Sequence, residues 1–92
     1  MINEKTIKIL KPRIKRVEGQ IRGVLKMVEK KEYCMDILQQ ISATQGALKS
    51  IASVILENHI NTCVKETIES KKDKQIKEKV KELIEMYEKF IK

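Results

Sequence analysis

Three side chains of this 92-residue chain can bind a soft metal ion: Cys34, His59 and Cys63. His59 and Cys63 are four residues apart, so on an α-helix their side chains lie on one face, a turn apart. A thiolate and an imidazole placed in this way can hold one metal ion together. A His–Cys pair at this spacing is more often a pair of packing or solvent-exposed residues, so the pair alone does not define a site.

Cys34 cannot join that pair within one chain. It precedes His59 by 25 residues, which on a continuous helix corresponds to roughly 37 Å at the usual rise per residue. A second copy of the helix, running antiparallel and crossing near residues 46–48, brings Cys34 of one chain beside His59 and Cys63 of the other. The crossing falls in a segment of mostly short side chains, residues 42–47. Two-fold symmetry then predicts two identical sites per dimer.

The donor set predicts which ion such a site prefers. Two thiolates and one imidazole form a soft, three-coordinate set that suits Cu(I). Zinc usually takes a fourth ligand. Nickel favours more nitrogen ligands, whereas His59 is the only histidine of the chain. The competing chemistry is catalysis by an activated Cys63 thiolate beside His59. No third orienting group is evident, so we expect no enzyme.

The elements that position these residues are helices. Apolar residues recur at spacings of three and four along three segments. The first segment has Pro12 in its first turn, with a loosely helical arm before it; the second spans about residues 34–68 and the third about residues 73–91. Amphipathic helices with short connections predict an all-α bundle in a single domain, residues 1–92. Long helices in so short a chain leave apolar surface uncovered, which predicts self-association.

The charge of the chain is concentrated at one end. The first 31 residues carry ten Lys or Arg against three Glu, which equals the net charge of +7 of the whole chain. One side of the first helix carries a row of cations, flanked by Arg13 and Arg16: Lys8, Lys11, Lys15, Arg22, Lys26 and Lys30. A solvated face is the simple explanation; a phosphate-binding face is the functional one. With few aromatic residues, we expect double-stranded DNA, held by backbone contacts and shape.

The chain contains no apolar run long enough to span a membrane, and its first residues lack the apolar core of a signal peptide. We therefore expect a cytoplasmic protein. In a reducing cytosol its two cysteines are expected to be thiols rather than a disulfide.

Three segments resemble the copper-sensing operon repressor (CsoR) family: RIKRVEGQIRG at 13–23, YCMDILQQISA at 33–43 and NHINTC at 58–63. The resemblance extends from about residue 12 to the end of the chain. It implies a three-helix protomer that forms an antiparallel four-helix-bundle dimer and then a homotetramer. It also implies a repressor that binds operator DNA in the apo form and releases it when Cu(I) binds at the dimer interface.

The resemblance also implies roles for individual residues. Cys34, His59 and Cys63 match the family's copper ligands, while Tyr33 and Glu82 match residues that contact those ligands. Cations that face DNA in the family match four residues: Arg13, Arg16, Arg22 and Lys49. Lys15 joins them because of its place in the basic row.

Other branches of the family respond to other signals. Nickel or cobalt sensors use more histidines, formaldehyde sensors lack the second cysteine, and persulfide sensors lack the histidine. This chain has Cys63 and His59, which favours copper. Persulfide sensing stays open, since cysteines of two chains can also bridge through sulfur. A helical scaffold with incidental cysteines is the alternative outside the family.

Overall fold

The structure is a computed structural model that describes the backbone of residues 1–91 and the side chains of residues 1–90. Its elements are α1 (Glu4–Glu29), α2 (Cys34–His59), a π-helical turn (Ile60–Val64), α3 (Lys65–Glu69) and α4 (Asp73–Ile91). No strand occurs in the described backbone, so the all-α prediction is confirmed. The π turn and α3 continue α2 without a break, which matches the predicted second helix. Lys92 and the side chain of Ile91 lie outside the described residues.

The first helix begins much earlier than predicted. Asn3 caps α1, because its side chain accepts a hydrogen bond from the backbone N–H of Thr6 at 2.9 Å. Thr6 and Leu10 are both buried, which ties this early part of α1 to the rest of the chain. The placement of Pro12 in the first turn is therefore wrong. Pro12 lies inside α1 on its exposed side, where water can satisfy the backbone carbonyl that a proline leaves without its partner.

α1 and α2 pack antiparallel through a small apolar core. Thr6 bonds to Asn58 and Arg13 to Ser50, so the start of α1 lies beside the end of α2. Between these points lies the core of buried apolar residues, Leu10, Val17 and Ile51, with Ala47 and Val54 packed against it. On α2 the buried positions recur every seven residues at Thr44, Ile51 and Asn58. Two of those three residues are polar.

Most of the apolar surface of the protomer remains uncovered. The molecule measures 57 × 27 × 13 Å with a radius of gyration of 17.6 Å, against about 12 Å for a compact domain of this length. Apolar side chains of all three long helices are exposed: Ile14, Ile21, Leu25, Leu38, Ile41, Leu48, Ile55, Val80 and Ile84. An exposed apolar surface of this extent indicates an interaction site, where another molecule or another copy of the chain covers the helices.

The described helices include none that combines the length and apolar character needed to cross a membrane.

Both turns between the long helices contain a lysine in the left-handed backbone region. Lys31 and Lys71 each have a φ of 56°. Lys31 follows the last residues of α1, and its N–H and that of Glu32 bond back to the carbonyls of Val28 and Met27. This is the Schellman arrangement, in which glycine is the preferred residue.

We predict that Lys31→Gly stabilises the protein by about 1 kcal/mol, because glycine adopts the left-handed conformation without the steric penalty that lysine has there. The matched control is Lys30→Gly, one residue earlier, where the backbone is right-handed with φ −80° and glycine only adds flexibility. Thermal unfolding at one fixed protein concentration measures both. A lower melting temperature for Lys31→Gly than for the unaltered chain would contradict the prediction.

Candidate metal centre

The candidate ligands lie at opposite ends of one helical rod. Cys34 is the first residue of α2, and His59 is its last, with Cys63 in the π turn that follows. Since α2 is unbroken, the predicted separation of Cys34 from His59 within one chain holds. The described residues contain no cluster of three His, Cys, Asp or Glu side chains that could hold a metal ion. One protomer therefore brings only His59 and Cys63 to the same region.

The π turn is a feature that the sequence analysis missed. The backbone N–H of Lys65 bonds to the carbonyl of Ile60, five residues earlier, and the turn is correspondingly wider than an α-helical one. The hydroxyl of Thr62 donates to the carbonyl of Asn58 at 2.8 Å. Cys63 is therefore presented on a wider turn, and not at the α-helical position assumed from its spacing to His59. Such turns are rare and occur often at functional sites.

The thiol of Cys63 has two hydrogen-bond donors beside it. The amino nitrogen of Met1 lies 3.2 Å from its Sγ, and the hydroxyl of Thr62 lies 3.6 Å from the same atom. The bond from the Met1 amine, followed by that from Thr62, lowers the pKa of Cys63 below the ordinary thiol value. The thiolate therefore forms at lower pH than for an unperturbed cysteine. Because the thiolate is the form that binds metals, protons compete less at this sulfur.

His59 faces a carboxylate on the last helix. Its Nε2 lies 4.0 Å from Oε1 of Glu82, whose other oxygen lies 4.0 Å from Nζ of Lys79. The resemblance assigned Glu82 to this neighbourhood, and the structure places it there; Lys79 was not identified from the sequence. A carboxylate near one imidazole nitrogen can fix the tautomer that leaves the other free to bind a metal. A helical-wheel projection of α4 could have identified Lys79, because it lies three residues before Glu82 and therefore on the same face of the helix.

The other end of α2 is open. Tyr33 stands at the N-cap position and is 69% exposed, and Cys34 beside it is exposed as well. The structure does not bring Tyr33 into contact with His59 or Cys63 of the same chain, because these residues lie at opposite ends of α2. An exposed thiol at a helix N-terminus is free to meet a ligand set from another chain.

Asn58 is a further residue that the sequence analysis did not identify. It is buried at 7% exposure, directly before His59. Its Oδ1 accepts hydrogen bonds from the Thr6 hydroxyl at 2.8 Å and from the Asn3 N–H at 3.3 Å, and its Nδ2 donates to the Met1 carbonyl at 3.2 Å. The available signal was its place in the seven-residue series of buried α2 positions, where an amide requires partners.

The cations proposed to face DNA are exposed. Within the described residues the lysine or arginine that lies within 4.0 Å of a carboxylate is Lys79, beside Glu82, so no cation of α1 is paired with a carboxylate there, and neither is Lys49. Lys15, Arg16, Arg22 and Lys49 all lie at the surface. Unpaired cations along one rigid rod keep their charge available for an anionic partner.

Arg13 differs from the other cations of α1. It lies three residues after Leu10 and four before Val17, both of which face α2, so it projects toward that helix. Its guanidinium donates to the hydroxyl of Ser50 at 3.4 Å. Arg13 therefore lies on another side of α1 from the row that contains Lys15 and Arg22.

An all-helical chain with uncovered apolar faces, soft ligands at both ends of one helix and an unpaired basic helix has the features of a metal-responsive DNA-binding protein. Residues 6–89 match the family described as metal-sensitive transcriptional repressor, and the chain belongs to that family.

Particular relatives are copper sensors. The chain is 46% identical to the copper-sensing transcriptional repressor CsoR of Bacillus subtilis over 80 residues, which are 87% of this chain and 76% of that protein. It is 50% identical to the copper-sensing transcriptional repressor RicR of Mycobacterium tuberculosis over 52 residues, 56% and 54% of the two chains. The crystal structure of the copper-sensing repressor CsoR with Cu(I) from Geobacillus thermodenitrificans superposes with a TM-score of 0.82 at 41% identity, covering 100% of this chain and 95% of that one.

Proposed function

We propose that this chain is a Cu(I)-responsive transcriptional repressor that binds operator DNA without copper and releases it when Cu(I) binds between two subunits. The observation that carries the proposal is the division of a soft donor set between the two ends of α2. An antiparallel pair of α2 helices joins Cys34 of one chain to His59 and Cys63 of the other. The copper-sensing relatives support the choice of effector.

The residues present fit Cu(I). Two thiolates and one neutral imidazole match the preference of this ion for soft ligands at low coordination number. The lowered pKa of Cys63 favours the thiolate form that binds metals, and Glu82 lies where it can orient His59. Cu(I) bound there supplies a bond between two subunits that the metal-free chains do not have.

The antiparallel dimer also accounts for the exposed side chains of α2. Apart from its two chain neighbours and the nearby backbone of α2 itself, no atom of the chain lies within 4 Å of the position that a Cβ on Gly46 would take. The close approach expected near residues 46–48 is therefore not made within the protomer. Leu48, Ile41 and Ile55 are exposed around Gly46. A second α2 crossing here covers these side chains, and exposed residues of α1 and α4 remain available to join two dimers into a tetramer.

The basic row of α1 is the proposed DNA contact. Lys15, Arg16 and Arg22 project from a rigid helix, and Lys49 extends the positive surface onto α2. When His59 and Cys63 of one subunit share a copper ion with Cys34 of the other, the angle between the subunits changes. The spacing of the basic rows then changes with it. A row whose spacing no longer follows the duplex fails to reach several phosphates at once. A repressor meets its operator in the cytoplasm, where the proposal therefore places the chain.

The proposal is tested by titrating the reduced protein with Cu(I) against a competing chelator without oxygen, while operator binding is followed in the same samples. We expect one copper per chain and release of the DNA. Tight copper binding that leaves the DNA complex intact would contradict the release mechanism. Weak copper binding would direct attention to persulfide, tested by release of the operator with a polysulfide donor.

We predict that Lys15→Ala and Arg22→Ala weaken operator binding and reduce its salt dependence by about one unit of the log–log slope for each phosphate that the variant no longer neutralises. Copper affinity should not change, because both residues lie away from α2. Lys77→Ala, which removes an exposed cation from α4, is the matched control. Fluorescence anisotropy at several salt concentrations gives both quantities. An unchanged slope would remove the residue concerned from the DNA surface.

A further inference from the structure

We propose that Asn58 is a positioning residue that couples the metal-binding end of α2 to the DNA-facing helix α1. The inference rests on the proposed function and adds the contact through which the site acts. Asn58 directly precedes His59 and is buried. The hydrogen bonds of its side chain all run to the N-terminal segment, residues 1–6.

The side chain of Asn58 holds the cap of α1. Its Oδ1 accepts from the hydroxyl of Thr6 at 2.8 Å and from the N–H of Asn3 at 3.3 Å, and its Nδ2 donates to the carbonyl of Met1 at 3.2 Å. Asn3 is itself the N-cap of α1 and accepts from the N–H of Thr6. One amide of α2 therefore fixes the position of the first turn of α1.

The backbone of Asn58 is joined to the turn that carries a candidate ligand. Its carbonyl accepts from the Thr62 hydroxyl at 2.8 Å, and that hydroxyl also lies 3.6 Å from Sγ of Cys63. The same Sγ lies 3.2 Å from the nitrogen of Met1. A metal ion bound to Sγ of Cys63 shares one lone pair of the sulfur and reduces its negative charge, so both contacts are expected to weaken or shift. Metal binding therefore disturbs the segment that Asn58 holds.

The remaining contacts between α1 and α2 are less directional. Leu10, Val17 and Ile51 form an apolar core, and apolar contact tolerates sliding because it has no preferred direction. The described hydrogen bond elsewhere between these helices, from Arg13 to Ser50, is exposed and 3.4 Å long. The hydrogen bonds of the Asn58 side chain, one buried and two part-buried, set both distance and angle. Because α1 is continuous, a displacement at its first turn moves the whole basic row.

The test compares three variants. Thr6→Val keeps the shape of a buried side chain and removes the donor to Asn58, whereas Thr6→Ser keeps the hydroxyl. Thr44→Val is the matched control, because Thr44 is about as buried as Thr6, with 7% against 8% exposure, but its hydroxyl bonds to the Gln40 carbonyl within α2. For each protein the operator dissociation constant is measured with and without Cu(I), and the ratio of the two is the copper effect. Copper affinity is measured separately.

We expect Thr6→Val to reduce the copper effect about fivefold, which corresponds to one net hydrogen bond, while Thr6→Ser and Thr44→Val keep it to within about twofold. The copper affinity of the DNA-free protein is expected to be the same in all four proteins, so the loss appears in the copper affinity of the DNA complex. A wild-type copper effect that Thr6→Val retains would overturn the coupling and leave the proposed function standing. An equal loss in Thr44→Val or Thr6→Ser would also overturn it. A ratio of one in the wild type would overturn the proposed function itself.

Hydrogen–deuterium exchange tests the same inference without a variant. In the wild-type protein without DNA, we expect Cu(I) to accelerate exchange in the peptide covering residues 1–10. Exchange in the middle of α1, residues 17–28, is expected to change less. Unchanged exchange in residues 1–10 would overturn the coupling even if Thr6→Val failed to fold.

Discussion

Cys34→Ala and Cys63→Ala are each expected to lower Cu(I) affinity by more than about a hundredfold, the upper range for losing a group that only hydrogen-bonds to a ligand. Each variant lacks one of only two thiolates in a three-coordinate site. Both variants should still bind operator DNA, because neither cysteine lies on α1. Copper should release neither variant from the DNA. Competition against a Cu(I) chelator measures the affinity.

A mixture of these two variants distinguishes a shared site from a site within one chain. When Cys34→Ala and Cys63→Ala chains are unfolded and refolded together, mixed dimers form. In each mixed dimer, one of the two sites combines an intact Cys34 with an intact His59 and Cys63, and the other site lacks both thiolates. We expect one tight copper per mixed dimer and none in either variant alone. No recovery of tight binding in the mixture would contradict the antiparallel arrangement.

Leu48→Glu is expected to dissociate the subunits and unfold the chain. Leu48 is 48% exposed in the protomer and lies at the proposed crossing of the two α2 helices. Two-fold symmetry places two glutamates in that apolar contact, and burying unpaired carboxylates there costs at least about 3 kcal/mol. Because the protomer buries so few apolar side chains, the separated chain should lose helix content. Light scattering after size exclusion and circular dichroism measure the two effects.

Ser53→Glu is the matched control for that variant. Ser53 is exposed on α2, on a side away from both Leu48 and the core against α1. It should retain the mass and the helix content of the unaltered chain. A fully assembled and helical Leu48→Glu protein would place the subunit contact elsewhere on the molecule.

Sequence patterns predicted those elements whose evidence is local. The repeat of apolar residues defined the second and third helices, and the structure gives 34–69 and 73–91 against predictions of 34–68 and 73–91. The start of α1 was predicted wrongly, because Pro12 is a local signal whereas the contact that extends the helix is between Thr6 and Asn58. Those two residues are 52 positions apart, and no pattern along the chain reports their proximity.

The site divides in the same way. Residue type and spacing identified Cys34, His59 and Cys63, and family resemblance identified Glu82, which the structure places beside His59. The residue types of the π turn give no signal for it, because its five residues, INTCV, are also compatible with a continued α-helix. The partners of Asn58 were missed because they lie in a segment that was expected to be only loosely helical. The roles of the ligands and of the DNA-facing cations stay predictions.

The thin, elongated protomer, 13 Å across in its shortest dimension, has a consequence for the amount of protein that a cell must hold. If a chain becomes stable only when another covers it, folding is a second-order process, and the folded fraction depends on the number of copies by mass action. Chains present below the concentration at which they assemble remain substrates for proteolysis. Repression would then begin abruptly, at an expression level fixed by assembly rather than by affinity for the operator.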